Sequence, residues 1–327
     1  MFIILTIIFL SLSMDYILLI IGFIFLIKWS DLLVDWASSI AKKFGISSLV
    51  IGLTIVAFWS SAPELVINLI SGFQWKTDLA VSNILWSNIS NILLILWITA
   101  LICPIALPKS TVKKEIPYLI FVAAILILLI YDGNINTFDA SILSILFAWF
   151  LYYTFSIAKS WTSKNQDEEE IELMWNIKAT IYIVLGFIGL IGGWKLIVDS
   201  AVSIASNFGL PEAFIWVTIV AIGTSLPELA VSVIAALKKQ TDMAVGAVVG
   251  SNIFNTLWIL GATWLITTLP AYEWIHIDLW VNLIASLLIF VFAFTFKKHL
   301  LERKEGIILI IAYLSYIGYL ISTVITK

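Results

Sequence analysis

Ser60, Ser61 and Glu64 stand at i, i+1 and i+4 within the apolar stretch AFWSSAPELVIN, so on a helix their side chains gather on one face. Thr224, Ser225 and Glu228 repeat the arrangement further along. Ser87 with Asn91, and Ser251 with Asn255, are each spaced i, i+4 and share a face. Carboxylates, hydroxyls and amides make an all-oxygen ligand set suited to hard cations such as Ca2+ and Na+. No thiol or imidazole accompanies them. Pro63 and Pro227 precede the two glutamates. A proline lacks an N–H and clashes with the carbonyl four residues back, so each loosens the helix over 57–60 and 221–224 and frees carbonyl oxygens there.

A charged side chain near the centre of a bilayer costs at least ~2.5 kcal/mol on insertion scales. Two carboxylates therefore need a partner, and a divalent cation held by Glu64 and Glu228 neutralises both. The competing reading is a protonated carboxyl bonded to a neighbouring helix. For the serines and asparagines it is hydrogen bonding between helices. An acid/base hydrolase is not supported, because neither a nucleophile nor an aqueous domain accompanies the glutamates. The chain reads as a non-enzyme.

Elements that can hold such a set follow from composition. Of the 327 residues, 61% are hydrophobic and 12% charged, with a mean hydropathy of +1.07. Apolar runs near 20 residues, the length that spans a bilayer as a helix, recur at 14–36, 46–73, 78–102, 116–131, 136–158, 177–203, 211–237, 243–269, 275–296 and 305–325. The expectation is an all-α integral membrane protein of ten transmembrane helices. One cysteine, Cys103, and two histidines, His276 and His299, exclude a disulfide framework and a zinc or haem site built from this chain alone. No cofactor, nucleic-acid partner or obligatory protein partner is expected, only the lipid bilayer and inorganic cations. Residues 1–13 lack a basic n-region and a cleavage site. They extend or begin the first helix, and translation from Met1 and from Met14 both fit.

With ten spans, the loops alternate between two sides. Fourteen of the 18 Lys and Arg fall on one side, two on the other and two within helices. The positive-inside rule puts the rich side in the cytoplasm and both termini outside. This places the chain as a multi-pass protein of the cell (inner) membrane. The acidic stretch NQDEEEIE, Asn165 to Glu172, then lies in a cytoplasmic linker and reads as solvated. Asp31, Asp35 and Asp199 read as solvated helix-end residues, and Asp78 and Asp242 as N-caps.

Shifted by 164 residues, the first half lies on the second without a gap. FGISSLVIGLTIVAFWSSAPEL (44–65) meets FGLPEAFIWVTIVAIGTSLPEL (208–229), and TDLAVSNILWSNISN (77–91) meets TDMAVGAVVGSNIFN (241–255). Five helices per half is an odd number, so the copies cross the membrane in opposite directions, an architecture of secondary transporters. The expected layout is residues 1–13 as an extension, 14–160 as repeat 1, 161–176 as a short linker and 177–327 as repeat 2.

The same shift sets Trp29 against Gly193, Trp59 against Gly223, Trp86 against Gly250, Trp97 against Gly261 and Trp216 against Gly52. Glycine in a membrane helix permits close backbone approach, whereas tryptophan in the same place forces helices apart. One reading is that these positions are glycine in the living cell, encoded by a UGA codon that the source organism decodes as glycine. The other is that the tryptophans are genuine and the first repeat is distorted. UGG codons at 59 and 86 would end the first reading.

At these residues the chain resembles the cation/calcium antiporters, the sodium/calcium exchanger superfamily, whose repeats carry G-T-S-x-P-E followed by G-S-N-x-x-N or G-S-N-x-x-D. Here they read WSSAPE with WSNISN, and GTSLPE with GSNIFN. The resemblance implies alternating access around central ion sites, with Ca2+ leaving the cell against Na+ entry and the first and sixth helices sliding over the other eight. By motif position it implies Ser60, Ser61, Glu64, Ser87 and Asn91 as ligands from repeat 1. Thr224, Ser225, Glu228, Ser251 and Asn255 follow from repeat 2, and the carbonyls of Ala57 and Ala221 join them. Ser60 replaces a threonine, and Asn255 stands where some members carry Asp, which lowers the site charge. Proton-coupled calcium exchange through the two glutamates is the nearest alternative, and a non-transporting membrane scaffold a more distant one.

Overall fold

The computed structural model describes residues 2–75, 77–161, 176–210, 215–270, 275–295 and 297–325. In lipid every backbone N–H and C=O must be satisfied within the chain, and runs of Leu, Ile, Val and Phe do so by winding into helices. The described elements are helices, joined by four two-residue strands. Besides a single turn at Lys109–Lys113, the helices in chain order are α1 (Phe2–Phe44), α2 (Ser48–Ser60), α3 (Ala62–Phe73) and α4 (Leu79–Ile102). Next come α5 (Glu115–Leu129), α6 (Thr137–Trp161) and α7 (Asn176–Asn207). The last are α8 (Thr218–Thr224), α9 (Leu226–Leu237), α10 (Thr241–Trp264) and α11 (Ile275–Phe292), with α12 (Arg303–Ile325).

The protein is an all-α membrane protein. Among the described residues seven helices are long and apolar enough to cross a bilayer, or nine when each bent pair, α2 with α3 and α8 with α9, counts as one span. The remaining expected span, 116–131, is the 15-residue α5, shorter than the ~20 residues a straight crossing needs. Residues from Phe2 onward run into α1 without a break. The acidic stretch Asn165–Glu172 lies outside the described residues.

Helix ends repeat at the 164-residue offset. α1 closes on Gly45 at φ +61° and α7 on Gly209 at φ +75°, the left-handed position where glycine avoids a Cβ clash. The equivalent ends of α3 and α9 carry Trp75 at φ +58° and Lys239 at φ +59°. Asp242 lies in the first turn of α10, but Gln240 holds the cap position, so its role is charge at the helix start rather than capping. The side chain of Asp78 lies outside the described residues.

Two packing units form most of the interior, beside a small third one of Trp194, Val198 and Val220. The larger buries faces of α4, α5, α10, α11 and α12 around Ile84, Ile92, Val248 and Ile289. The smaller joins α1 to α7 and to the edges of α9 and α10 through Leu33, Val34, Ile197 and Val231. Of the seven long apolar helices, α10 is the most enclosed. β1 (Ile105–Ala106) pairs antiparallel with β4 (Leu300–Leu301), and β2 (Asn134–Ile135) with β3 (Leu269–Pro270). Each pair joins two loops that the alternation of spans assigns to the same side.

Candidate functional site

The polar centre forms where two helices break. The α2–α3 pair bends by 44° and the α8–α9 pair by 46°. The break residues are Ser61 (φ −80°, ψ 11°) and Ser225 (φ −85°, ψ 4°). Pro63 and Pro227 fall in the first turn of the following helix, where a missing N–H leaves no bond unmade. Each proline therefore starts a new helix rather than stretching the old one. The Ala57 carbonyl is not bare, as the loosened-helix argument expected. It accepts the Ser61 N–H at 3.1 Å, and the Ser60 and Ser251 hydroxyl oxygens lie 3.3 and 3.5 Å from it.

Restarting the helix puts Glu64 and Glu228 in first turns, beside unpaired N–H groups and the positive end of the macrodipole, which stabilise a carboxylate. Just before each break, and again beyond Ser90 and Ile253, the helices widen into π turns at Gly52–Val56, Trp216–Val220, Asn91–Ile95 and Phe254–Ile259. Such widening re-phases the faces on either side.

Glu64, Glu228, Asn91, Asn255, Ser60, Ser87, Ser251 and Thr224 are all 0% exposed, and Ser61 and Ser225 2%. Ser87 Oγ donates to Glu64 Oε1 at 2.9 Å and Ser61 Oγ to Glu228 Oε1 at 3.1 Å. Ser225 Oγ donates to Ser87 Oγ at 3.3 Å, so Glu64, Ser87 and Ser225 form one chain across the halves. Ser60 and Ser251 share a hydrogen bond of 3.1 Å. Asn255 Nδ2 reaches Ser87 Oγ at 3.3 Å, and Asn91 Nδ2 donates to Asn252 Oδ1 at 2.9 Å. The ten side chains expected from the sequence lie on these broken helices and on α4 and α10, which face them. The side chain of Ala221 lies outside the described residues.

Four buried oxygens in this cluster have no hydrogen-bond partner: Glu64 Oε2, Glu228 Oε2, Asn91 Oδ1 and Asn255 Oδ1. A buried acceptor left unmet costs about 1–3 kcal/mol, more when charged, so these four oxygens call for a further partner. Among the described residues no three His, Cys, Asp or Glu side chains cluster as metal ligands.

The family model described as sodium/calcium exchanger protein matches residues 14–156 and 178–322. The chain belongs to the sodium/calcium exchanger family. Among relatives of this exchanger, the putative antiporter CaxA of Alkalimonas amylolytica is 39% identical over 88% of this chain and 93% of its own. The sodium/calcium exchanger MaX1 of Methanosarcina acetivorans is 28% identical over 94% and 98%. Among solved structures, the sodium-calcium exchanger NCX_Mj soaked with 2.5 mM Na+ and 0.1 mM Ca2+ aligns with a TM-score of 0.79 at 31% identity, covering 93% of this chain and 98% of that one. Membership makes the exchanger a membrane transporter of the cation/calcium exchange class.

Sequence reasoning passed over several buried polar groups in this exchanger. Asn88 and Asn252 bond to Asn255 and Asn91 respectively. Asp278, 1% exposed, accepts from Tyr316 at 2.7 Å and from the Trp86 indole at 3.0 Å. Asp31 and Asp35 are half-exposed but both pair with Lys238, and Asp199 pairs with Lys195.

Two of the tryptophans set against glycines pack onto a glycine of a facing helix. The Trp29 ring lies 2.0 Å from where a Cβ on Gly189 would sit, and the Trp97 ring 2.6 Å from the same point on Gly306. Trp59, with Thr54, Phe58, Phe147 and Trp258, lines an apolar cavity of about 310 Å³. The side chain of Trp216 lies outside the described residues.

Proposed function

We propose that the protein exports Ca2+ in exchange for Na+ by alternating access, holding the ions at the bilayer midplane between two inverted five-helix repeats. On this reading residues 14–160 and 177–327 are the repeats and 161–176 a cytoplasmic linker. The tenth span is α5 with its flanking turns. The protein sits in the cell (inner) membrane with both termini outside, in keeping with the lysine bias and with strand pairs that join loops of one side.

One observation carries the proposal: two fully buried carboxylates, one from each half, each hydrogen-bonded through one oxygen and bare at the other. Glu64 and Glu228 hold the Ca2+. Asn91, Asn255, Ser60, Ser61, Ser87, Thr224, Ser225 and Ser251, with the carbonyls of Ala57 and Ala221, complete that site and the Na+ sites. Exchange rather than leak follows because the emptied centre would carry two unneutralised acids across the hydrocarbon, a costly species. Each ion must also stabilise both facing states for the carrier to turn over.

Proton coupling would need only the two carboxylates. The neutral oxygens around them favour Na+, which must be wrapped by oxygen ligands, over H+, which needs one. Proteoliposomes loaded with Na+ and diluted into Na+-free buffer containing radioactive Ca2+ test this. Uptake that follows the Na+ gradient and ignores a pH gradient is the expected result. Uptake that follows the pH gradient alone replaces Na+ with H+ as coupling ion, and absence of uptake under both overturns the proposal.

A further inference from the structure

Asn88 and Asn252, which the ion site does not use, are related by the same 164-residue offset as the two halves and are 1% and 0% exposed. The Nδ2 of Asn252 donates to the backbone carbonyl of Asn88 at 3.1 Å. Its Oδ1 accepts from Asn91 Nδ2 at 2.9 Å. In mirror image, the Nδ2 of Asn88 donates to Thr256 Oγ1 at 2.8 Å and reaches the backbone carbonyl of Asn252 at 3.5 Å. Its Oδ1 accepts from Asn255 Nδ2 at 3.1 Å.

A backbone carbonyl can only accept, so the polarity of each chain is set at its start. The nitrogen of Asn252 must face the Asn88 carbonyl, and its oxygen must then face Asn91. Asn91 must answer with its nitrogen, which leaves Asn91 Oδ1 as the free end. Asn255 Oδ1 is the free end of the mirrored chain, and both oxygens are buried and unpartnered. Reversing Asn91 would set oxygen against oxygen at Asn252 and aim an NH2 group at a cation. Successive donation along a chain also polarises its last carbonyl, which sharpens it as a cation ligand.

We propose that Asn88 and Asn252 are positioning residues, each locking the amide of the opposite half's ligand: Asn252 orients Asn91, and Asn88 orients Asn255. The inference rests on reading Asn91 and Asn255 as cation ligands. Each positioning residue already uses its amide nitrogen and oxygen in hydrogen bonds, so its role is to hold the partner amide.

Double-mutant cycles test the crossed wiring, reading the half-saturating Ca2+ concentration for uptake into proteoliposomes holding the full chain. Asn91→Ala and Asn252→Ala each raise it about tenfold, the loss of one hydrogen-bond-strength contact to a charge. The double variant is no worse than Asn91→Ala alone, since an absent amide needs no orienting. Asn88→Ala with Asn255→Ala behaves the same way. The uncrossed pair Asn91→Ala with Asn88→Ala multiplies to about hundredfold, because both ligands are then lost or loosened. A purely structural role lowers the maximal rate without this pattern of coupling. Serine replacements, which leave a hydroxyl in the buried space, run the cycle if an alanine variant does not fold. Multiplicative effects in the crossed pairs overturn the positioning role and leave the site intact. Unchanged half-saturation in both Asn91→Ala and Asn255→Ala overturns the site itself, and the positioning role with it.

Discussion

The crossing of α2 against α10 and the crossing of α8 against α4 hold equivalent places in the two halves, yet they are packed differently. At the first, backbones touch. A Cβ on Gly52 would lie 2.5 Å from the Met243 carbonyl, on Gly246 2.6 Å from that of Leu49, and on Gly250 2.6 Å from that of Leu53. At the second, the equivalent residues are Trp216, Ser82 and Trp86, and Trp86 turns into α11 to bond Asp278. The hydroxyls, amides and carboxylates between the two crossings nevertheless interlock. Side-chain chemistry at the centre is thus shared by the halves while the packing that flanks it is not. Polar faces alone do not demand the glycines; close backbone approach does.

The difference bears on the tryptophans. Buried indole N–H groups of Trp36, Trp97, Trp194 and Trp264 have no partner, and an indole normally finds one when buried. Trp75 occupies a left-handed helix end at φ +58°, a conformation that costs an ordinary residue about 1–2 kcal/mol. Lys239 adopts it too, so this position alone decides nothing. Of the repeat-matched tryptophans, Trp97 has such an orphan indole whereas Trp86 donates to Asp278, so the case for glycine at those sites stands on the repeat comparison. Peptide mass spectrometry of the protein from its own host decides the matter: fragments lighter by the Trp-to-Gly difference at 59 and 86 are expected, and full tryptophan mass there ends the idea.

The largest expected effect comes from forcing the two crossings to match in the wrong direction. Gly250→Trp drives a ring into the Leu53 backbone and is expected to abolish monodisperse protein on size exclusion. Normal yield and uptake would break the comparison. Next, Glu64→Gln and Glu228→Gln each lower Na+-driven Ca2+ uptake by about a hundredfold or more, the equivalent of ~2.7 kcal/mol. A loss confined to one of them would mean the halves do not share the ion.

Matching in the other direction, Trp59→Gly with Trp86→Gly gives a well-folded protein whose uptake is at least that of the parent. Tyr316 still donates to Asp278 when the indole is gone. A collapse of yield would show that the tryptophans belong to the fold. Smallest is Lys238→Ala, which removes the ion pairs to Asp31 and Asp35 at 2.6 and 2.5 Å. The mirror position in the first half carries Gln74. Because the acids are half-exposed, the loss in stability is about 1 kcal/mol at most and fades with added salt, as thermal melts at two salt concentrations would show.

The side chains of the buried polar cluster were legible because they recur at one offset with helix-face spacing, and a repeat exposes such recurrence without any other chain for comparison. The apolar runs likewise announced the helices. Less visible were the helix breaks. Proline signals a boundary, but whether it stretches one helix or starts another depends on the angle at Ser61 and Ser225, which tertiary packing sets. The π turns leave no trace in composition, since widening costs one residue of phase and no particular residue type. Asn88 and Asn252 matched across the repeat as plainly as their neighbours did. They were passed over because bonding between α4 and α10 cannot be read from spacing on one helix. The count of ten spans rests on α5, whose length alone does not show that it crosses.

Equilibrium Ca2+ binding to the purified protein and to its Glu64→Gln, Glu228→Gln and doubly substituted forms tests most directly whether one cation is held jointly by both halves. Each single variant is expected to lose affinity by about a hundredfold, with little further loss in the double. Wild-type affinity in either single variant would contradict the shared site.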